Sequence, residues 1–156
     1  MTFYILMNHI TTLFVSVGLL TTLSFDSEIT SYMYGGSKED LFLKVTNNHK
    51  TLAIKPKVEG VASNLLVVTK NRKYYFDLRY SKDKPHQFVE VKDGVINHSM
   101  TMILEGTNED ILEGESSVLV INKSRRPIQI NGKKFKNKKY FSKGIPLIKG
   151  DQRIFN

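Results

Sequence analysis

The chain contains no cysteine. A disulfide scaffold, a Cys-ligated zinc site and a thiol nucleophile are therefore excluded together. The absence is compatible with an oxidising compartment such as the periplasm. Long amphipathic helical periodicity is missing too, as are heptads, internal repeats and low-complexity tracts. No G-x-S-x-G elbow and no glycine-rich phosphate loop is present. The histidines, His9, His49, His86 and His98, lie far apart without metal-ligand spacing. Their polar, turn-like neighbours predict solvated side chains. These gaps leave no catalytic residue, no metal ligand set and no cofactor-binding motif to name.

What is present is enough to fold. Forty per cent of the 156 residues are hydrophobic and ten per cent aromatic, so a core forms and global disorder is excluded. The length fits one or two small domains. The formal charge of +8 is concentrated at one end. Between Lys123 and Arg153 there are eleven Lys or Arg and one acid, Asp151. The stretch Glu105 to Glu115 is the reverse, with Glu109, Asp110 and Glu113 between its ends and no base. It lacks the alternating oxygen order of a calcium loop and reads as a solvated loop.

The apolar stretch Ile10 to Leu23 admits two readings. A secretory signal would have a basic n-region, but no Lys or Arg precedes Ile10. Two short strands broken at Gly18, Leu13–Val17 and Leu19–Phe25, fit its β-branched and aromatic content. Downstream, Asp40–Thr46 and Thr51–Lys55 predict a hairpin turning at Asn47-Asn48. Pro56 ends the second strand. Asn64–Thr69 is a continuous apolar run, expected as a central strand, with Tyr74–Arg79 as its return partner. Alternation puts Tyr74, Phe76 and Leu78 on the core face and Tyr75 on the other. Gln87–Val91 is a further strand. Asp93-Gly94 is a turn signal and a domain boundary, giving domains 10–93 and 94–156. Beyond it Ser99–Leu104, Ser116–Ile121 and Pro127–Ile130 read as strands, with Asn131-Gly132 as a hairpin turn. The fold class is all-β: an antiparallel sandwich-like N-terminal domain and a small basic C-terminal domain or partial domain.

Two basic features are candidate contact sites. Arg72 and Lys73 stand at a predicted hairpin tip. Lys133, Lys134, Lys136, Lys138 and Lys139 interleave with Phe135, Tyr140 and Phe141. Cations neutralise phosphates and aromatics stack on bases, so a nucleic-acid-binding β module, or a surface for anionic lipid, is one reading of this tail. A soluble loop and edge strand, with lysine blocking unwanted pairing, is the other.

The segment Ile54-Lys-Pro56, Ser63-Asn-Leu-Leu-Val-Val-Thr69, Arg72 and Tyr74-Tyr-Phe-Asp-Leu78 resembles the signature of the TrbG/CagX/TraK family, which includes the ninth VirB protein. Gly18–Phe25 and Glu28–Gly36 are similar to that family's upstream strands, which favours the strand reading of residues 10–25. Val120–Asn122, Arg126–Ile130, Phe135 and Leu147–Gly150 resemble its C-terminal pattern. The resemblance implies a non-enzymatic subunit of a type IV secretion or conjugation apparatus, in the periplasm and associated with the outer membrane. It implies a homo-oligomeric ring with a lipoprotein and a TonB-box-like, inner-membrane-anchored partner, and no cofactor. In such a ring the acidic stretch 105–115 and the basic stretch 123–153 are expected to meet between subunits.

Overall fold

The computed structural model describes residues 1–156. It consists of seventeen β-strands and no helix, as the all-β reading requires. The chain divides into two compact units. Unit 1 comprises Met1–Thr2 and Asn8–Lys92; unit 2 comprises Phe3–Met7 and Asp93–Asn156. The first strand, β1 (Thr2–Ile5), is thus divided between them.

Unit 1 holds β2 (Ile10–Val15), β3 (Thr21–Phe25), β4 (Ile29–Tyr34), β5 (Leu41–Val45), β6 (Thr51–Pro56), β7 (Ala62–Thr69), β8 (Lys73–Tyr80) and most of β9 (Phe88–Asp93). One sheet has the order β1-β9-β3-β6-β5 and the other β2-β8-β7-β4. Strand alternation buries Leu23 and Phe25, Leu52 and Ile54, Leu65 and Val67, and Phe76 and Leu78. The Phe25 ring of the first sheet meets Tyr74 at 5.1 Å and Phe76 at 6.4 Å from the second. Two sheets facing each other across such a layer make a sandwich. Residues 10–25 form β2 and β3, with Gly18 at φ 83° between them. As expected, β7 is interior to its sheet and pairs with β8.

The sheets are not wholly antiparallel. Strands β2 and β8 run parallel, as do β3 and β9. These neighbours come from distant parts of the chain, so no local turn chemistry announces them. The β5–β6 hairpin forms, but its left-handed residue is His49 (φ 60°) rather than an asparagine. Asn48 acts through its side chain instead, accepting from Thr46 Oγ1 at 2.6 Å and from Lys50 N–H at 3.0 Å.

Unit 2 contains two four-stranded sheets. One is β10 (Thr101–Glu105), β11 (Glu109–Glu113), β12 (Ser117–Asn122) and β15 (Lys138–Ser142), in that order. The other has the order β14 (Lys133–Phe135), β13 (Ile128–Ile130), β16 (Leu147–Lys149) and β17 (Gln152–Phe155). Ile111, Val118, Val120, Ile130, Phe141 and Leu147 are buried. The segment Phe3–Met7 joins this unit by hydrogen bonds. Tyr4 and Lys143 exchange backbone bonds, Leu6 N–H donates to Ser142 Oγ at 2.9 Å, and Gly94 N–H donates to Ile5 O at 2.9 Å.

Three expectations change here. The acidic run is not a solvated loop: Glu109–Glu113 is an interior strand, because Ile111 supplies a fully buried side chain while Glu109, Asp110 and Glu113 each pair with a lysine. Asp93-Gly94 is not a turn. Gly94 is buried because a Cβ there would lie 2.7 Å from Ser116 O and 2.8 Å from Tyr4 O. The basic tail is more than a loop and an edge strand, since it supplies β14, β15, β16 and β17. Asn131-Gly132 is a hairpin turn as predicted, with φ of 52° and 75°.

Candidate interaction surfaces

Arg72 is a constrained residue. Thr69 ties the β7–β8 turn: its Oγ1 donates to Arg72 O at 3.0 Å and accepts from Arg72 N–H at 3.2 Å. The half-buried guanidinium lies 4.5 Å from the centroid of the Tyr74 ring, a cation–π arrangement. Its first task is therefore to fold the hairpin. Lys73 beside it is exposed.

The lysine-rich tail separates into two sets. Lys123 pairs with Asp110 at 3.1 Å, Lys143 with Glu113 at 3.0 Å and Lys149 with Glu109 at 2.9 Å. Much of the opposed charge expected to meet between subunits thus meets inside one chain. Lys133, Lys134, Lys136, Lys138 and Lys139 form the second set and enter no ion pair; all but Lys139 are exposed. The aromatics between them do not stand out as a stacking platform. Phe141 is 2% exposed, and the Phe135 ring packs against it at 6.0 Å.

Two surfaces escaped the sequence reading. Strand β10 is exposed along its whole length, including Met102, Ile103 and Leu104. The run was legible as a strand, but nothing local says that it ends a sheet. In unit 1, the edge strands β4 and β5 flank a cavity of about 390 Å³ lined by Tyr32, Met33, Tyr34, Leu41 and Leu43 among others. Burial raises the Tyr34 phenol above its ordinary pKa, and Asp40 adds to the effect.

No three His, Cys, Asp or Glu side chains group as metal ligands. His86 departs from the solvated expectation: it is 5% exposed, and its Nδ1 accepts from Phe14 N–H at 2.9 Å. It is spoken for by backbone. No helix is long and apolar enough to cross a membrane.

Of the motif residues quoted above, Ile54–Pro56, Ser63–Thr69 and Tyr74–Leu78 fall on β6, β7 and β8, where they serve strand pairing and core packing, and Arg72 lies in the β7–β8 turn. A family model described as CagX, conjugal transfer protein, matches residues 3–134. The chain belongs to the CagX family. The match takes in Asn8–Lys92 of unit 1 and continues through unit 2 to the β13–β14 hairpin. CagX membership ties the chain to conjugal transfer and the type IV secretion machinery of the envelope. A comparison with curated proteins gives no match.

Proposed function

We propose that the chain is a non-catalytic structural subunit of a conjugative type IV secretion apparatus, part of a core ring in the periplasm and at the outer membrane. The CagX match over residues 3–134 carries this reading. The strand architecture supports it. Rigid sheets offer edges and exposed apolar residues to neighbours, and affinity then comes from buried area and edge contacts rather than a reactive centre. Its partners are further copies of itself, a lipoprotein and a TonB-box-like inner-membrane-anchored subunit. The exposed lysines and Arg72–Lys73 are the proposed contact residues.

The test is a mating assay with the gene deleted and then restored. Transfer lost on deletion and recovered on restoration, with the protein fractionating with the envelope, is the expected result. Wild-type transfer in the deletion strain overturns the reading. The nucleic-acid alternative makes its own prediction, steeply salt-dependent binding of a labelled single-stranded oligonucleotide. The burial of Phe141 weighs against it.

A further inference from the structure

One sheet of unit 2 ends in two unlike edges. At one end lies β10, with Met102, Ile103 and Leu104 exposed by 46%, 40% and 40%, followed by exposed Glu105. At the other lies β15, which begins at exposed Lys138 and follows the exposed lysines of β14 and the turn after it. Two strands separate these edges, a span of roughly 14 Å at ordinary strand spacing. Glu109, Asp110 and Glu113 are neutralised within the chain. Glu105, exposed Glu115 and the lysines from Lys133 to Lys139 enter no ion pair. What remains is an apolar, acidic edge and a basic edge on opposite sides of one sheet.

Resting on the subunit reading above, we propose that the β10 edge of one copy receives the β15 edge of the next, head to tail. Strand direction permits it. Three successive antiparallel pairings leave β10 and β15 running in opposite senses, so an added β15 continues the alternation. The Lys143 end of β15 is already paired with Tyr4, which confines the contact to the Lys138 end. Antiparallel addition brings that end to Glu105. The register shift between Met102 and Leu104 interrupts the ladder β10 can offer, so side chains carry much of the contact. The competing self-pairing of two β10 edges gathers no opposite charge and leaves the lysines unmet. A contact between unlike edges is heterologous, and repeated it gives a ring or a filament.

The natural absence of cysteine makes the test direct. Leu104→Cys and Lys139→Cys full-length chains are co-expressed in cells assembling the transfer apparatus and oxidised with copper phenanthroline. The expected product is a mixed disulfide dimer, with neither variant cross-linking alone, and a ladder from the double variant. Glu105→Lys added to the Leu104→Cys chain lowers the yield by about tenfold, as like charges meet. Lys138→Glu on the Lys139→Cys chain restores it. Cross-linking of Leu104→Cys to itself overturns the proposal in favour of β10 self-pairing. Absent cross-links in cells that still transfer DNA at the wild-type rate overturn it while leaving the subunit reading intact. Only the deletion assay bears on that reading itself.

Discussion

His86 sits where the segment between β8 and β9 meets strands β2 and β3. Its ring Nδ1 accepts from Phe14 N–H, its backbone N–H donates to Phe14 O at 2.8 Å, and Thr21 Oγ1 donates to its carbonyl at 2.6 Å. Replacing it with leucine keeps the bulk but leaves the Phe14 donor without this acceptor. His86→Leu should lower stability by about 1–3 kcal/mol, read as a shift in the urea midpoint. Gly94 makes a stricter demand, because the atoms that would meet a new methyl are backbone carbonyls. Gly94→Ala should destabilise unit 2 by about 1–3 kcal/mol in the same measurement. At the surface, the hydrogen bond and charge of Lys70, 2.8 Å away, hold the Glu28 carboxyl below its ordinary pKa. A depressed carboxyl adds stability that is present at neutral pH and lost as pH falls through its folded-state pKa. Lys70→Met should move the Glu28 titration back upward in an NMR pH series.

At the scale of the element, the β13–β14 hairpin depends on two successive residues at positive φ. Asn131→Ala with Gly132→Ala imposes the left-handed penalty on both, about 1–2 kcal/mol per residue. Circular dichroism and thermal unfolding should show the loss. Such turns were the legible part of the fold. Asn131-Gly132 and the Asn-rich β5–β6 loop announce hairpins through local chemistry, and alternation at Tyr74–Leu78 sorts buried from exposed side chains. What could not be read depends on distant partners. Nothing within Glu109–Glu113 signals an interior strand, since the lysines that pair with its carboxylates lie 13 to 40 residues away. The parallel β3–β9 pairing has the same cause. The candidate contact residues were legible as a basic cluster, but which lysines stay unpaired required the tertiary structure. The exposed β10 edge was hidden for the same reason.

On the scale of the whole molecule, the units are not simply successive along the chain. Phe3, Ile5 and Leu6 are buried, at 0%, 1% and 5% exposure, in a segment that belongs to unit 2. Burying each such side chain is worth about 1.5–3 kcal/mol. Three of them approach the net stability of a typical domain, about 5–15 kcal/mol. Removal of residues 1–7 should therefore strip amide-exchange protection from β10–β17 while strands within Asn8–Lys92 keep theirs. Equal protection in both would show that the segment is dispensable.

The same division sets an order of events during synthesis. Every residue of unit 1 precedes Asp93, so β2–β8 can close before most of unit 2 follows. The segment Phe3–Met7 is made long before its partners, since Leu6 and Ser142 stand 136 residues apart. Its apolar side chains must wait until those partners have been made, open to any chaperone or misplaced edge that reaches them first. Unit 2 is thus timed by the arrival of Ser142 and Lys143 rather than of Phe3.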